Sequence, residues 1–418
     1  VTSSGKTEIY IKLIEDQLEK GKQVLYLLPE IALTAQITVR LQKIFGSKLG
    51  VYHSKFNDNE RVEVWKSLQS KKYQVILGVR SSVFLPFENL GLIIVDEEHE
   101  NTYKQFNPAP RYNARDVSVV LAKKHKAKVL LGTATPSIES YVNSKAGKYG
   151  LVNLCKRYKE ISLPEIQIAD VKKASKQLKM KSLFTPLLFE SLHETLQNNE
   201  QAILFQNRRG FSPFTECEMC GYIPRCENCD VSLTYHKHTN HSVCHYCGYS
   251  ERASKTCKAC NSPSIRARGF GTQKIEEEIA RFFPGVKTAR MDTDSTGSKK
   301  AYQKIIHEFE TGDTDILIGT QMVSKGLDFD NVGLVGIMNA DNMLNFPNFR
   351  AFERSFQLMA QVSGRAGRMH KRGKVVIQTR DKDHPVLKQV VENDYQSMLN
   401  SQLAIRKQFK YPPYYRLI

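Results

Sequence analysis

The stretch Leu92-Ile93-Ile94-Val95-Asp96-Glu97-Glu98-His99 decides the fold that this chain is expected to adopt. Its four apolar residues in a row predict a β-strand that is buried on both faces, and the acidic residues follow directly where that strand ends. Strands that are covered on both faces are typical of parallel sheets in α/β proteins. The stretch therefore predicts an α/β domain with acidic residues at the carboxyl end of a central strand.

The same pattern recurs on both sides of this stretch. The first block has further apolar strands at Val24 to Leu28, Val75 to Val79 and Val129 to Leu131, with helices at Thr34 to Phe45 and Ala114 to His125. A second block begins near Ala202, and its predicted strands are Ile203 to Gln206, Thr288 to Met291, Ile316 to Ile318, Gly333 to Ile337 and Val375 to Gln378. Two α/β lobes with parallel sheets are therefore predicted.

The predicted domain boundaries lie where the alternation of apolar strands and helices changes. Lobe 1 is predicted at residues 1–155, a Lys-rich linker at 156–183, and lobe 2 at 184–385. The segment 216–262 interrupts lobe 2 and has little apolar periodicity, so we interpret it as an insertion that something other than a core holds together. Residues 386–418 are predicted to begin a carboxy-terminal domain.

A phosphate-binding loop is predicted at the start of the chain. Residues Ser3-Ser4-Gly5-Lys6-Thr7-Glu8 supply the end of the pattern G-x-x-x-x-G-K-[ST] and lead into a helix. In such a loop the backbone N–H groups wrap the phosphates, the lysine reaches the β- and γ-phosphates, and the threonine hydroxyl binds Mg²⁺. The chain begins at Val1 inside this motif without a methionine, so we expect a fragment whose first loop glycine precedes residue 1.

The acidic stretch supplies the partners of this loop. Asp96 is placed to hold Mg²⁺, and Glu97 is placed to orient the attacking water. Later in the chain, Gln361-Val362-Ser363-Gly364-Arg365-Ala366-Gly367-Arg368 presents two arginines that can stabilise charge on the γ-phosphate. Together these residues predict a nucleoside triphosphatase in which lobe closure is coupled to hydrolysis.

Eight of the nine cysteines form four C-x-x-C pairs, at Cys217/Cys220, Cys226/Cys229, Cys244/Cys247 and Cys257/Cys260. Eight thiols suit two tetrahedral Zn²⁺ sites, which supply folding energy where hydrophobic burial is scarce. Spacing leaves two pairings open. In a sequential scheme the first two pairs share an ion, whereas in a nested scheme the two inner pairs share one ion and the two outer pairs share the other. The pattern favours metal in a reducing compartment over disulfides.

The composition favours a polyanionic partner. Lys and Arg number 61 against 43 Asp and Glu, which gives a formal charge of +18. Basic and aromatic residues are interleaved in a loop after the acids, where Tyr103, Lys104, Arg111 and Tyr112 could stack on bases and follow a nucleic acid backbone. No apolar run reaches the roughly 18 residues that a transmembrane helix requires.

The order of Ser4–Thr7, Asp96–His99, Gly132–Thr135 and Gln361–Arg368 resembles that of superfamily 2 helicases. The finer match, to the PriA family of replication-restart DNA helicases, rests on the following stretches together with the four C-x-x-C pairs: Leu28–Thr34, Gly78–Ser82, Gly319–Met322, Lys325–Phe329 and Tyr411–Tyr414.

This resemblance implies two RecA-like P-loop lobes, with ATP and Mg²⁺ held between them and a two-zinc insertion in the second lobe. It implies nested zinc pairing, DNA contacts from Arg80, Ser81, Gln321 and Lys325, and nucleotide contacts from Gly326 and Asp328. It further implies 3′-to-5′ unwinding of forked and single-stranded DNA at stalled forks, for replication restart and primosome assembly. The implied partners are single-stranded DNA-binding protein and primosome proteins, and the implied location is the bacterial cytoplasm at the nucleoid.

The sequence departs from the family in extent and at one loop position. The resemblance implies an amino-terminal DNA-binding region and most of a carboxy-terminal domain outside these residues, and Ser3 stands where the family loop has glycine. Two alternatives remain open on the residues alone. One is a zinc-dependent DNA or protein platform without catalysis, and the other is an RNA helicase.

Overall fold

The computed structural model describes residues 5–29, 35–53, 56–154, 163–207, 214–236, 239–266, 271–292, 295–296, 299–323, 329–367 and 372–416. The chain divides into two compact units, one within residues 1–160 and the other within 161–418. Each unit contains a sheet in which every pairing of neighbouring strands is parallel. The predicted α/β class is therefore confirmed.

The first unit contains five strands, and their order in the sheet is β2-β3-β1-β4-β5. The strands are β1 (Gln23–Leu27), β2 (Leu49–Tyr52), β3 (Val75–Gly78), β4 (Leu90–Asp96) and β5 (Lys128–Gly132). The helices are α1 (Lys6–Glu19), α2 (Ala35–Phe45), α3 (Asp58–Gln69), α4 (Ala114–His125) and α5 (Ile138–Lys145). Short 3₁₀ turns at Arg80–Phe84 and Asn101–Tyr103 follow β3 and β4.

The apolar strands explain why both faces of this sheet are covered. All five residues of β1 are buried, and neighbouring residues point to opposite faces. Leu25 and Leu27 pack in a cluster that also contains residues of α3 and α4, whereas Val24 and Tyr26 pack in a cluster with residues of α1 and α2. Each fully buried side chain of this size contributes about 1.5–3 kcal/mol relative to an exposed one.

Local hydrogen bonds define where several helices begin. Asn57 forms a capping box with Glu60 at the start of α3, and Asn113 caps α4. The Ser137 side chain accepts from the backbone N–H of Ser140 and caps α5. These residues follow the usual preference for Asn and Ser at the position before a helix.

The second unit contains a six-stranded sheet in the order β13-β14-β7-β15-β16-β6 and two small sheets in the Cys-rich segment. Its strands are β6 (Glu165–Asp170), β7 (Gln201–Phe205), β8 (Glu216–Cys217), β9 (Thr234–His236), β10 (His241–Val243), β11 (Ser250–Arg252), β12 (Ile265–Arg266), β13 (Thr288–Met291), β14 (Ile316–Gly319), β15 (Val332–Ile337) and β16 (Lys374–Thr379). Its helices are α6 (Val171–Lys176), α7 (Pro186–Gln197), α8 (Thr272–Phe282), α9 (Lys299–Glu310), α10 (Asp341–Leu344), α11 (Ala351–Ser363), α12 (Pro385–Val391) and α13 (Tyr395–Gln408).

Two ranges that the sequence sets apart from the lobes contribute to this unit. Strand β6 lies within 156–183, the range predicted as a linker, and pairs along its whole length with β16. Helices α12 and α13 fall in or next to the predicted start of a carboxy-terminal domain, and both contact α11. The fully buried Arg406 of α13 donates to Glu353 of α11 at 2.6 Å. Among the described residues, no helix has the length and apolar character needed to cross a bilayer.

Candidate functional site

The carboxyl edge of the first sheet brings distant predicted residues together. The register pairs Leu27 with Gly78 and with Val95, and it pairs Asp96 with Gly132. Because all these strands are parallel, the segments that follow β3, β4 and β5 leave the sheet at the same edge. Helix α1 packs on β1 and β4, so its amino-terminal residue Lys6 lies beside the acidic residues at this edge.

Lys6 and Glu97 form an ion pair there. The Lys6 ammonium donates to Glu97 Oε1 at 3.4 Å although the residues are 91 positions apart. Gly5 precedes α1 with a φ of +81°, a left-handed conformation that glycine adopts without strain. Burial alone would lower the pKa of Lys6, but the carboxylates of Glu97 and Asp96 raise it. Lys6 is therefore a partly buried cation at a helix amino terminus, which is where a phosphate binds well.

Asp96 lies at the end of β4, is partly buried, and accepts hydrogen bonds from three groups. Its Oδ1 accepts from the Tyr10 hydroxyl at 3.1 Å and from the Glu97 backbone N–H at 3.0 Å. Burial, together with the neighbouring Glu97 charge, raises the pKa of Asp96 to about 6. The Tyr103 hydroxyl donates to the Asp96 carbonyl at 2.6 Å and to the Leu27 carbonyl at 3.1 Å. Tyr103 is only 1% exposed, so its ring lies in the core and not on a surface where a base could stack.

Glu98, the third acidic residue, connects β4 to the segment that follows β5. Its carboxylate accepts from the Ser137 backbone N–H at 2.7 Å, from the Ser137 and Ser140 hydroxyls at 3.0 and 2.8 Å, and from Arg115 at 3.1 Å. Nearby, His99 Nδ1 and Thr133 Oγ1 are 2.8 Å apart. The acidic stretch is thus tied through side chains to residues 133–140.

The other predicted nucleotide contacts fall in different places. Thr7 lies in the first turn of α1, and the exposed Glu8 pairs with Arg40 of α2. Arg365 lies in the second unit, partly buried just past α11, where its backbone N–H donates to the Val362 carbonyl at 3.0 Å. Five predicted nucleotide contacts lie outside the described ranges: Ser3, Ser4, Gly326, Asp328 and Arg368.

The predicted DNA contacts of the first unit lie after β3 and in the loop before α4. Arg80 donates to the Thr102 carbonyl at 3.3 Å, and Ser81 follows it in the same 3₁₀ turn. Lys104 donates to the carbonyl of the exposed Arg111 at 3.4 Å. The Tyr112 ring meets the ring of Phe84 edge-on, with their centroids 4.8 Å apart.

The turn that contains Arg80 and Phe84 therefore contacts the segment after β4 at two points. Arg80 bonds to Thr102, and Phe84 packs on Tyr112. Phe84 is 55% exposed although it is a large apolar residue. In the second unit, Gln321 donates to Asn207 at 3.2 Å. Lys325, the remaining predicted DNA contact, lies outside the described ranges.

The eight paired cysteines form two groups in the nested arrangement. One group contains Cys217, Cys220, Cys257 and Cys260, and the other contains Cys226, Cys229, Cys244 and Cys247. Within each group the sulfur atoms all lie within 4.8 Å of one another, and several pairs are 3.5–3.6 Å apart. Among the described residues, neither group includes a histidine. His236 and His245 instead approach each other with their Nε2 atoms 3.2 Å apart, and His238 lies outside the described ranges.

Three of the four C-x-x-C pairs share one turn geometry. The backbone N–H of Gly221 donates to the Cys217 carbonyl, and that of Gly248 donates to the Cys244 carbonyl in the same way. Both glycines have a positive φ, of +76° and +78°. Asn261 follows Cys260 and makes the same turn with a φ of +57°. Glycine and asparagine are the residues that adopt a positive φ most readily, so either one directly after the second cysteine is the sequence signal for this tight turn.

The thiols of each group influence one another strongly. The backbone N–H of Tyr249, followed by smaller contributions that include hydrogen bonds from neighbouring thiols, lowers the pKa of Cys247 to about 7. Burial, together with hydrogen bonds to neighbouring thiols, raises the pKa of Cys220 and of Cys229 to about 12. Four thiols this close cannot all become thiolates unless a cation compensates their charge. Each group therefore has the chemistry of a metal site.

Sequence reasoning did not identify Tyr10, Arg115 or Phe84 as part of these sites. A signal for Tyr10 was present, since residues four apart lie on the same face of a helix and Tyr10 is four positions after Lys6. No comparable signal marks Arg115, because its partner Glu98 belongs to a different element. Phe84 follows Arg80 in the same turn, but its exposure becomes evident only in the folded chain.

Two family models match separate parts of the chain. Residues 1–143 match the family model described as DEAD/DEAH box helicase. Residues 226–252 match the model described as the PriA DNA helicase Cys-rich region domain. The first match contains Lys6, Asp96 and Glu97, and the second contains the cysteine group that begins at Cys226.

Several curated proteins are similar to the whole chain. Replication restart protein PriA of Bacillus subtilis is 45% identical over 417 residues, which cover 100% of this chain and 52% of that protein. The protein of the same name from Haemophilus influenzae is 42% identical, over 99% of this chain and 56% of its own length. The chain thus spans about half the length of the curated relatives that it matches.

Solved structures show the same fold at low identity. RecG bound to a three-way DNA junction superposes with a TM-score of 0.53 and 16% identity, over 96% of this chain and 42% of that one. Saccharomyces cerevisiae Dbp5 bound to RNA and ADP BeF3 gives a TM-score of 0.54 and 14% identity, over 97% and 86% of the two chains. Whereas these likenesses concern the fold, the sequence matches above extend over the entire chain. The chain is therefore similar to PriA proteins over its whole length, and separate parts of it match the DEAD/DEAH box helicase model and the PriA Cys-rich region model.

Proposed function

We propose that this chain is the motor region of an ATP-dependent DNA helicase that moves 3′-to-5′ along single-stranded DNA and unwinds stalled replication forks. The observation that carries the proposal is the approach of Lys6 to Glu97 at 3.4 Å beside the partly buried Asp96. A cation at a helix amino terminus, next to a carboxylate that can hold Mg²⁺ and a second that can orient water, is what phosphoryl transfer requires.

The predicted nucleotide-site residues have separate roles in this proposal. Lys6 binds the β- and γ-phosphates together with the backbone of residues 3–8, and Thr7 and Asp96 hold Mg²⁺, which neutralises charge on the phosphates. Phosphate binding to Lys6 breaks its ion pair with Glu97, and the freed carboxylate can then orient the attacking water. Arg365 and Arg368 stabilise the transition state, and Gly326 and Asp328 contact the nucleotide. The hydroxyl and carboxylate oxygens of Thr7 and Asp96 are the ligand type that Mg²⁺ prefers.

The Cys-rich segment is proposed to hold two structural Zn²⁺ ions. Zn–S bonds of about 2.3 Å in a tetrahedron place the sulfur atoms about 3.8 Å apart. The thiol groups, with their sulfur atoms within 4.8 Å of one another, fit such ions with little adjustment. Because four protein ligands fill a tetrahedral site, these ions stabilise the fold and do not take part in catalysis.

The proposed partners are forked and single-stranded DNA, single-stranded DNA-binding protein and the primosome proteins. The residues proposed to contact DNA are Arg80, Ser81, Lys104, Arg111, Tyr112, Gln321 and Lys325. The printed names of the relatives support a role in replication restart. Such a role would place the protein in the bacterial cytoplasm at the nucleoid.

The decisive experiment measures DNA-stimulated ATP hydrolysis by the full-length protein. Lys6→Ala is expected to lower turnover by at least about 100-fold, because it removes the cation that contacts the transferred phosphate. Lys12→Ala is the matched control, since Lys12 lies on the same helix with its side chain 69% exposed. Turnover by Lys6→Ala at the level of Lys12→Ala would contradict the proposal.

The choice between DNA and RNA needs its own measurement. Binding of a single-stranded DNA and an RNA of the same sequence should be compared by fluorescence anisotropy, with ATPase stimulation as a second readout. The proposal expects tighter binding and stronger stimulation by DNA. Equal or stronger responses to RNA would favour an RNA helicase instead.

A further inference from the structure

Three tyrosine side chains lie beside the partly buried Asp96. Tyr10 from α1, Tyr26 from β1 and Tyr103 from the turn after β4 are all at most 3% exposed. The Tyr10 hydroxyl donates to the carboxylate, and the Tyr103 hydroxyl donates to the backbone carbonyl. Burial, together with the charge of Asp96, raises the pKa of Tyr26 well above its usual value.

The Tyr10 hydroxyl acts on the Asp96 carboxylate itself, whereas the Tyr103 hydroxyl acts on the Asp96 backbone carbonyl. Tyr10 Oη and the Glu97 backbone N–H both donate to Oδ1 of Asp96, at 3.1 and 3.0 Å. Two donors on one oxygen fix the rotation of the carboxylate about its Cβ–Cγ bond. Oδ2 is the oxygen that these two donors do not occupy.

Three packing features hold the Tyr10 hydroxyl in this position. The ring of Tyr10 is 3% exposed in the core, and it meets the ring of Tyr26 edge-on with centroids 5.7 Å apart. Gly132 lies opposite, and a β-carbon at residue 132 would overlap the Tyr10 hydroxyl. The absence of a side chain at Gly132 therefore gives the hydroxyl the space it occupies.

We infer that Tyr10 is a positioning residue that orients the Asp96 carboxylate for Mg²⁺. This inference rests on the proposed function, in which Asp96 holds the ion that accompanies the nucleotide. Hydrogen bonds to a metal-binding carboxylate set its direction, and their loss typically weakens metal binding by about 10–100-fold. The Tyr10 hydroxyl contacts the Asp96 carboxylate, which is the proposed Mg²⁺ ligand. Its effect on Mg²⁺ is therefore exerted through Asp96.

The test uses the full-length protein and a fluorescent ADP analogue as the probe. Affinity for the analogue is measured in EDTA and then across a Mg²⁺ titration, which gives the Mg²⁺ concentration of half-maximal effect. Tyr10→Phe keeps the ring and removes only the hydroxyl, so it is expected to raise that concentration by about ten-fold. Its affinity in EDTA should stay within about two-fold of wild type, because the phosphate contacts of Lys6 and the loop do not depend on the hydroxyl.

Two further variants separate this role from a purely structural one. Gly132→Ala displaces the same hydroxyl from the opposite side and should shift the Mg²⁺ requirement in the same direction. Tyr73→Phe removes a hydroxyl elsewhere in the first unit, where the Tyr73 ring packs against the core, and it should leave the Mg²⁺ requirement unchanged.

The possible outcomes distinguish the inference from the proposed function. An unchanged Mg²⁺ requirement in Tyr10→Phe overturns the inference while the proposed function stands. A loss of affinity in EDTA that matches the loss in Mg²⁺ also overturns it, because the hydroxyl would then support the fold and not the ion. Wild-type protein whose nucleotide affinity does not respond to Mg²⁺ would overturn both.

Discussion

Glu98 shows how one buried charge can be stabilised within the fold. Its side chain is 1% exposed, and a carboxylate at this depth is costly unless hydrogen bonds and a cation compensate it. Two serine hydroxyls, one backbone N–H and Arg115 supply that compensation. The residues involved come from the ends of β4 and α5 and from α4, so Glu98 connects three elements near the nucleotide site.

Removing this carboxylate should destabilise the first unit. Glu98→Ala leaves Arg115 and the Ser137 groups without their partner, and we expect a loss of about 3–5 kcal/mol in the free energy of unfolding. Urea denaturation measures it. Asp116→Ala is the matched control, because Asp116 pairs with the same arginine but is 64% exposed, and it should cost about 1 kcal/mol or less. Equal losses in the two variants would refute this account.

Single residues were predictable where a pattern carries the chemistry. Lys6, Asp96 and Glu97 follow from a short motif and from the end of an apolar strand, and the structure brings them together. Tyr10 and Glu98 were not assigned such contacts, because their partners are 86 and 39 positions away and meet them only through strand register. Tyr103 was predicted at a DNA surface from its neighbours in sequence, yet the turn that contains it directs the ring into the core.

At the scale of elements, the structure of the Cys-rich segment depends on which C-x-x-C pairs come together in each cysteine group. The spacing of the C-x-x-C pairs allows sequential or nested sharing; the short gap before Cys226 and the longer gap before Cys244 favour nesting, and the family resemblance also implies it. In the structure, β8 pairs with β12 and thereby brings Cys217 opposite Ile265 near the last pair. The pairing of β8 with β12 determines which cysteine pair joins Cys217 and Cys220. Because these strands are far apart in the chain, the spacing of the cysteines alone does not fix the pairing.

Zinc content measures this pairing directly. In nested sharing, Cys217→Ser with Cys257→Ser disrupts one site, so the double variant should retain one Zn²⁺ per chain. Cys217→Ser with Cys226→Ser disrupts both sites and should retain none. Sequential sharing reverses the two results. Atomic absorption on the purified variants decides between the schemes, and the single variant Cys217→Ser should lose one ion under either scheme.

The contact between α11 and α13 supports a second prediction at this scale. Arg406 is fully buried, donates to Glu353 and also donates to the Pro412 carbonyl at 3.2 Å. Arg406→Ala leaves Glu353 with less compensation, and we expect the second unit to lose about 3–5 kcal/mol in the free energy of unfolding. Lys407→Ala on the exposed side of α13 should change it by about 0.5 kcal/mol or less. Thermal unfolding of both variants checks the difference, and similar values would contradict it.

At the scale of the whole molecule, the dominant property is the excess of positive charge. A formal charge of +18 attracts nucleic acid without regard to sequence. Binding that releases counterions weakens as salt rises, with a slope set by the number of phosphate contacts. Charge alone identifies neither the binding face nor the sugar. Those depend on where the cations lie on the folded surface.

Salt titration tests which cations take part. If Arg80, Lys104, Arg111 and Lys325 each contact a phosphate, affinity for single-stranded DNA should fall by about 50-fold between about 50 and 200 mM salt. The double change Lys104→Ala and Arg111→Ala should reduce this fall to about seven-fold. The control removes Lys123 and Lys124, which are exposed on α4, and should keep the wild-type slope. Equal slopes in the two double variants would show that the loop does not bind DNA.

The fold class was predictable from hydrophobic runs, whereas the membership of the second sheet was not. Strand β6 lies in a Lys-rich range with weak periodicity, and its partner β16 comes far later in the chain. A strand at the edge of a sheet needs little apolar character, so its sequence gives little indication of it. The two parallel blocks carry enough buried Val, Ile and Leu to be recognised without any contact information.

The pairing of β6 with β16 has a consequence for dividing or truncating this protein. The Arg372 side chain donates to the Leu163 carbonyl across 209 positions, and the two strands pair from Glu165 to Asp170. A synthesised chain cannot complete this edge until β16 has left the ribosome, which makes closure of the sheet a late and non-local event. An expression boundary placed anywhere between about residues 163 and 380 would leave one of the two strands without its neighbour, and the exposed strand would be prone to aggregate.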